Sequence, residues 1–311
     1  MTSLPRRKLT VVGCTVIDVL FTDVPRLPTW PSHAEFTSAN LVLLDRAPIV
    51  TLGGNGANAA YIAGQQGATV HLYSSMGDDE FGRMAARWLK AAGCAVTGRS
   101  RRTATAVNVT AADARHRRAT YFYAATAPRL PRLNARAGDA VLVCGWPHPP
   151  LDQVAREFKR LRAAGVLTAL DLGPILGEPW PWTTLEKVLV HTGLLLGNRH
   201  EFCTLTGESQ LSGAHARMRR VCPGLIVAKL GPAGAAWSSP QHSRPSRVGA
   251  GQVRVVNTVG AGDSFNGAFL AALLREVSVP RAVKLAVACA TRIVGSGHGV
   301  LGLSAVRPRR V

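Results

Sequence analysis

Residues 257–267 read NTVGAGDSFNG: three glycines (Gly260, Gly262, Gly267) around one carboxylate, Asp263, directly before the apolar run AFLAALL. A glycine-rich entry into a helix exposes backbone N–H groups at the positive end of the helix dipole, where an anion is stabilised. Glycine also lets the backbone approach such a ligand closely. A carboxylate beside an incoming phosphoryl group can accept the proton of an attacking hydroxyl. The amides of Gly260, Ala261 and Gly262 would then stabilise charge on the group in transfer. The same spacing equally suits an Asp that the dipole favours in the first turn of a helix.

Other polar residues stand at comparable places. Gly53–Asn58 reads GGNGAN, a second glycine-rich helix entry, but it lacks the third glycine of a dinucleotide fingerprint. No GxxxxGK[ST] occurs in the chain. Asp18 at the end of the first apolar strand and Asn58 at the glycine-rich turn suit the hydroxyls of a vicinal diol, or equally serve as turn and cap residues. Asn198-Arg199-His200-Glu201 has capping-box spacing, and it also suits a site near phosphate and hydrated Mg²⁺. The nine histidines show neither metal spacing nor HExxH, so none is assigned to catalysis.

The elements that must position these residues alternate. LTVVGCTVI (9–17) reads as one buried strand, NAAYIAGQQG (58–67) as a helix, TVHLYSSMG (69–77) as a strand and DDEFGRMAARWLKAAG (78–93) as a helix. From residue 139 the rhythm is regular, with strands at 139–145, 166–174, 194–198 and 224–231 separated by amphipathic helices. VRVVN (253–257) reads as strand-like before the last two helices. Buried strands alternating with helices predict a mostly parallel sheet covered on both faces. Residues 18–52, and 102–125 with a polar turn at 113–116, break the rhythm and predict a small β excursion, a lid over the strands' C-terminal ends. The tail RPRRV is expected to fray.

The chain of 311 residues has 47% hydrophobic and 18% charged residues, enough apolar material for a sizeable core. No run is long enough for a membrane span, and Leu9–Val12 is too short for a signal peptide, so a cytoplasmic protein is expected. Six scattered cysteines give neither a zinc spacing nor a disulfide framework. The net charge of +19 raises nucleic acid as a partner. Only six of the 37 basic residues are lysine, and arginine is scattered without a basic amphipathic helix, which argues for compositional bias and against specific nucleic-acid binding.

Taken together and in order, these motifs resemble the ribokinase-like (PfkB-type) carbohydrate kinases. NTVGAGDSFNG resembles the family's signature DTxGAGD, and GGNGANAA followed by GATVHLYSSMGDDEFG resembles its first signature region. Asp18 falls where the family carries a sugar-binding Asp, Asn198 and Glu201 match its NxxE motif, and Lys229-Leu230-Gly231 with Gly234 matches its K/T-x-G-x-x-G strand end. The resemblance implies one three-layer α/β/α domain over 1–311, with a mostly parallel sheet and a β lid from about 18–52 and 102–125. It implies transfer of the ATP γ-phosphoryl to a hydroxyl of a sugar or sugar-like alcohol. Asp263 would be the base, and the amides of Gly260, Ala261 and Gly262 the anion hole. Asp18, Gly54, Asn58 and Trp146 would meet the acceptor. Asn198, Lys229, Gly231, Gly234 and Thr258 would meet ATP, and Glu201 would meet Mg²⁺ through water. The lid could pair two subunits.

Three departures narrow this. Asn257 stands where the family carries Asp, which speaks against activation by a monovalent cation. Trp146 replaces an acidic sugar contact of ribokinases, favouring stacking over hydroxyl recognition and keeping a nucleoside kinase as the alternative. Asp171 in DLGP replaces the Asn of NPAP and is taken as a plain strand-end Asp. A catalytically weak ligand- or nucleic-acid-binding protein is the reading outside the enzyme class.

Overall fold

The structure, a computed structural model, describes residues 7–26, 41–114, 117–127 and 130–303. The tail at 307–311 and part of the turn at 113–116 lie outside the described residues. The apolar run 9–17, expected as one strand, is two: β1 (Lys8–Val12) and β2 (Val16–Val24) belong to different sheets. Between them Gly13 passes so close to Gly56 and the Cys144 carbonyl that a Cβ would lie 2.7–2.8 Å from them. Apolarity alone could not reveal the break, because residues on both sides of it are buried.

The chain continues through β3 (Ile49–Gly53), α1 (Asn55–Gln65), β4 (Thr69–Gly77), α2 (Glu80–Ala91), β5 (Cys94–Ser100), β6 (Ala106–Asp113), β7 (Arg118–Tyr123) and β8 (Ala140–Val143). There follow α3 (Leu151–Ala163), β9 (Leu167–Asp171), α4 (Trp182–Leu189), β10 (Leu194–Asn198), α5 (Arg199–Thr206), α6 (Leu211–Val221), β11 (Leu225–Lys229), β12 (Ala235–Ser238), β13 (Ser246–Val248), α7 (Ala261–Leu274) and α8 (Val279–Ser296). The nine-stranded sheet has the order β13-β12-β11-β10-β9-β8-β1-β4-β5. From β5 to β11 every pairing is parallel, and β12 and β13 add antiparallel strands at one edge. β5, β12, β13 and α6 lie outside the expected elements, although Leu211, Ala214, Met218 and Val221 of α6 stand at helical spacing. The expected strand VRVVN is an irregular segment with Val253, Val255 and Val256 exposed.

Alternate residues of each strand feed two cores, as the pleat requires. Leu9, Val11, Ala140 and Leu142 pack with α1, α7 and α8, while Val12, Val141 and Val143 pack with α3 to α6. Buried on both faces, the strands read as continuous apolar runs, which is why they were legible. The second sheet, order β3-β2-β6-β7, is the lid; its central β2–β6 pairing is parallel and its outer pairings antiparallel. It is tied to the main layers where the Thr51 hydroxyl donates to the His298 carbonyl at 2.9 Å. Among the described residues no helix is long and apolar enough to cross a membrane.

Candidate active site

α7 is preceded by its N-cap residue Gly260, whose φ of +77° is a left-handed conformation that glycine adopts without strain. No side chain caps this helix, and its first N–H, that of Ala261, makes only a long bond of 3.3 Å to the Thr258 carbonyl. Asp263, the third residue of α7, is buried, and both its oxygens accept amide hydrogens. The Asn55 Nδ2 donates to Oδ1 at 2.7 Å and the Asn58 Nδ2 to Oδ2 at 2.9 Å. Asn58 is therefore a residue of the first turn of α1, not of the turn before it. Asn55 was missed; its place three residues before Asn58 in GGNGAN puts the two on one helix face, which was the available signal. The two helix starts meet because α1 and α7 pack closely: a Cβ at Gly267 would lie 2.3 Å from the Ala59 carbonyl oxygen. The Asn58 Oδ1 is buried with no hydrogen-bond partner, an arrangement that suits an incoming hydroxyl donor.

Across from Asp263 lies the lid. Asp18 sits inside β2 rather than at the end of β1, and its register partner on β6 is Asn108. The Asn108 Nδ2 donates to Asp18 Oδ1 at 2.9 Å. Burial pushes the Asp18 carboxyl up to about 6; the Asn108 bond opposes this and the Asp263 charge adds to it. A Cβ at Gly53 would collide with the Asp18 carboxyl, so glycine there makes room for it. Phe122 of β7 stands opposite Asn108, and its ring lies 6.1 Å from that of Trp146, tilted by 49°. The loop bearing Trp146 is held from behind, where the Trp180 Nε1 donates to His148 Nε2 at 2.6 Å. Burial lowers the His148 pKa, with the bond to the Pro149 carbonyl opposing it, a direction that favours the neutral ring this accepting role requires.

On the opposite side of α7's start opens a cavity of about 800 Å³. Lys229, Gly231, Gly234, Thr258, Ala261 and Gly262 all line it. Its size suits a nucleotide-sized ligand. Lys229 ends β11, and its Nζ lies 2.8 Å from Oδ1 of Asp171, which ends β9. Asp171 is thus a buried ion-pair partner and not a plain strand-end residue, a pairing that only the sheet order reveals. Burial opposes the Lys229 ammonium, but the charges of Asp171, Glu201 and Asp263 outweigh it and hold the pKa above its ordinary value.

Asn198 and Glu201 form the complete capping box of α5. The Asn198 side chain accepts from the Glu201 N–H at 2.9 Å, and Glu201 Oε2 accepts from the Asn198 N–H at 2.7 Å. The Asn198 Nδ2 also donates to Oε1 at 2.7 Å. Each carboxylate oxygen keeps a lone pair that could accept from a water of a hydrated Mg²⁺. Among the described residues no group of three or more His, Cys, Asp or Glu forms a closed metal site. Asn257 turns its side chain inward, its Oδ1 accepting from the Val259 N–H at 3.0 Å.

The pfkB family carbohydrate kinase model matches residues 7–304. The chain belongs to this family. It is a phosphotransferase with an alcohol group as acceptor. It is 27% identical over 251 residues to a nucleoside kinase of Methanothermobacter thermautotrophicus, covering 78% of each chain. It is also 27% identical over 307 residues to a ribokinase of Arabidopsis thaliana, covering 92% of this chain and 76% of that one. Among solved structures, Arabidopsis thaliana ribokinase complexed with ribose and ATP superposes with a TM-score of 0.77 at 21% identity, covering 96% of both chains. A ribokinase-like protein of Agrobacterium tumefaciens gives the same TM-score at 22% identity, covering 96% of this chain and 94% of that one. At this identity the structures establish the shared fold.

In this kinase most of the residues singled out in the sequence fall into two groups, while Asn198 and Glu201 stand apart at the start of α5 and do not line the cavity. Asp263, the Gly260–Gly262 turn and Asn58 converge with Lys229, Gly231, Gly234 and Thr258 around the start of α7. Asp18 and Trp146 approach from the lid side, where Asn108 and Phe122 join them. Gly54, with φ +85°, opens α1 beside Cys14 and Thr15. Asn108 carried no sequence signal of its own, since an Asn within a strand is ordinary, whereas Phe122 belongs to the aromatic run Tyr121-Phe122-Tyr123, which with Trp146 leaves room for a nucleoside base.

Proposed function

We propose that this kinase transfers the γ-phosphoryl group of ATP to a hydroxyl of a sugar or sugar-containing acceptor held between the lid and α1. The observation that carries this is the meeting of Asp263 with the uncapped start of α7 at the boundary of a nucleotide-sized cavity. The cavity at Gly231, Gly234 and Thr258 holds the nucleotide. The γ-phosphate lies against the amides of Ala261 and Gly262, where the dipole and N–H groups stabilise its charge. The acceptor hydroxyl gives its proton to Asp263 as its oxygen bonds to the γ-phosphorus. The bond to the β–γ bridging oxygen breaks, and its electron pair leaves on ADP. Asn55 and Asn58 fix the carboxylate so that little reorganisation is needed. Mg²⁺, held through water by Glu201, would neutralise phosphate charge.

Asp18 and Asn108 accept from and donate to the acceptor's other hydroxyls. A nucleoside acceptor is a second reading, favoured by the Phe122–Trp146 pair, which offers two aromatic faces beside the polar pair. Tyr121 and Tyr123, 62% and 53% exposed on the outer edge of the lid, support pairing of two copies there. A panel of sugars and nucleosides assayed for ADP formation tests the proposal. At least one acceptor should yield ADP and a phosphorylated product, and Asp263→Asn should reduce that kcat by about 10²–10⁴-fold while ADP still binds. Full activity in this variant would refute the assignment of the base.

A further inference from the structure

The loops that follow β8 and β9 are joined by a bond that the transfer of a phosphoryl group does not use. β8 and β9 are parallel neighbours, so both loops leave the same end of the sheet. His148 stands two residues before Pro150, the N-cap of α3, and Trp180 directly before Pro181, the N-cap of α4. Their rings meet edge to face, with centroids 4.3 Å apart and planes at 76°. An indole N–H can only donate, so His148 Nε2 is the acceptor of the 2.6 Å bond from Trp180 Nε1. The proton of the neutral imidazole then sits on Nδ1, which donates to the Pro149 carbonyl at 3.0 Å. Both ring nitrogens are thereby satisfied in one tautomer and one orientation. Trp180 is itself anchored against the core beneath α3 and α4. Only Pro147 separates His148 from Trp146; its ring fixes φ and restricts the backbone of the residue before it. On the other side of Trp146 is Gly145, where a Cβ would lie 2.8 Å from Cys14 Sγ and 3.1 Å from Asn55 Cβ. The Trp146 backbone is thus held from both directions, while its half-buried indole meets Phe122 of the lid.

We propose that His148 and Trp180 are positioning residues for substrate recognition: their bond is a latch that holds Trp146 at the angle to Phe122 at which a flat face of the substrate alcohol is received. The proposal rests on the reading of Trp146 as a contact of that substrate. An aromatic wall contributes to binding through ring area set in one geometry, and a ring free to turn must give up that freedom when the substrate arrives. The Trp180–His148 bond removes the freedom beforehand. Both residues act through Trp146, and neither gives nor takes a proton in the transfer. Loss of the latch therefore weakens substrate binding and leaves the groups around Asp263 as they are.

The test uses the full chain and the alcohol of the panel with the highest kcat/KM. Trp180→Phe keeps the ring packing and removes only the N–H. His148→Leu removes the accepting nitrogen at similar size, and His148→Gln returns an oxygen to the Nε2 position. Trp180→Phe and His148→Leu should each raise the KM for the alcohol about fivefold, the worth of one hydrogen bond, with kcat and ATP KM within about twofold of wild type. His148→Gln should recover most of that loss. In a Trp146→Ala background Trp180→Phe should add less than about twofold, because it acts only through that indole. A readout that needs no substrate is the Trp146 indole N–H resonance in ¹H–¹⁵N spectra, assigned from variants that replace one tryptophan at a time. It should broaden or split in Trp180→Phe and His148→Leu and stay sharp in His148→Gln. A KM for the alcohol within about twofold of wild type in both latch variants, rises that multiply with that of Trp146→Ala, or an unchanged Trp146 resonance would each overturn the proposal. Failure of Trp146 as a substrate contact reads out separately, as an unchanged KM in Trp146→Ala while its resonance in the latch variants still responds.

Discussion

The two sides of the active site are built differently. On the proposed transfer side the groups are backbone amides, glycines and side chains at the ends of elements: Gly260–Gly262, Asp263, Lys229 and Asp171. All belong to the large α/β layers and are fixed by the core beneath α7, whose buried face runs unbroken from Asp263 to Ala272. On the acceptor side the groups are side chains on a separate four-stranded sheet, Asp18, Asn108 and Phe122, facing one loop residue, Trp146. The lid joins the main core through Ile17 of β2 and Leu52 of β3, and a smaller cluster of Cys14, Val16, Ala106 and Ala125 lies beside it. Phosphoryl transfer is the same reaction whatever alcohol attacks, so rigid backbone suits it. The acceptor has to be recognised by shape and polarity, which side chains can vary without disturbing the transfer groups.

If that division is right, a change on the rigid side should damage folding and turnover together. Gly267→Val places a side chain against the Ala59 carbonyl and must force α1 from α7. We expect a loss of about 1–3 kcal/mol in stability, as for an overpacked core, together with a fall in kcat as the Asn55 and Asn58 bonds to Asp263 lengthen. Chemical denaturation and steady-state kinetics check this, and an unchanged kcat would break the link between helix packing and the base.

The lid side should show the opposite, a residue that costs stability and is kept for binding. Asp18 holds its proton more tightly in the folded protein, at about 6, than in the unfolded chain, near 3.8. Its contribution is therefore complete below pH 4 and lost as pH rises through 6. Asp18→Asn should be more stable than wild type by about 1–3 kcal/mol at pH 8, equal to it near pH 4, and weak in acceptor binding. Melting curves at both pH values decide it; a variant less stable at pH 8 would mean that Asp18 serves the fold.

The smallest effect is the most discriminating. Trp146→Ala should raise acceptor KM about tenfold, the worth of one aromatic contact, with ATP KM and folding stability unchanged. A larger penalty for nucleosides than for simple sugars would establish the base-binding role of the Phe122–Trp146 pair. An equal penalty would favour stacking on a sugar face.

Much of the transfer side was legible before any coordinates. Glycine-rich helix starts are local, because the freed N–H groups and the φ of Gly260 follow from a few adjacent residues. The parallel strands were legible because burial on two faces writes them as apolar runs. The first strand was misjudged for the same reason, since burial continues across the break at Gly13 into the lid. Asp18 therefore fell on the wrong sheet, and the true lid strand begins at Val16 rather than at residue 18.

What the sequence determined by itself was the order of motifs, hence the family, the class of reaction and the identity of Asp263 as the candidate base. The tertiary structure decided which distant residues share a hydrogen bond or a charge. Asn55 and Asn58 reach Asp263 across more than 200 positions, Asn108 reaches Asp18 across 90, and Asp171 reaches Lys229 across 58. None of these pairings has a local signature. Each depends on strand order and on how closely two helices can pack, and that closeness is set by residues such as Gly267 that take no part in the chemistry.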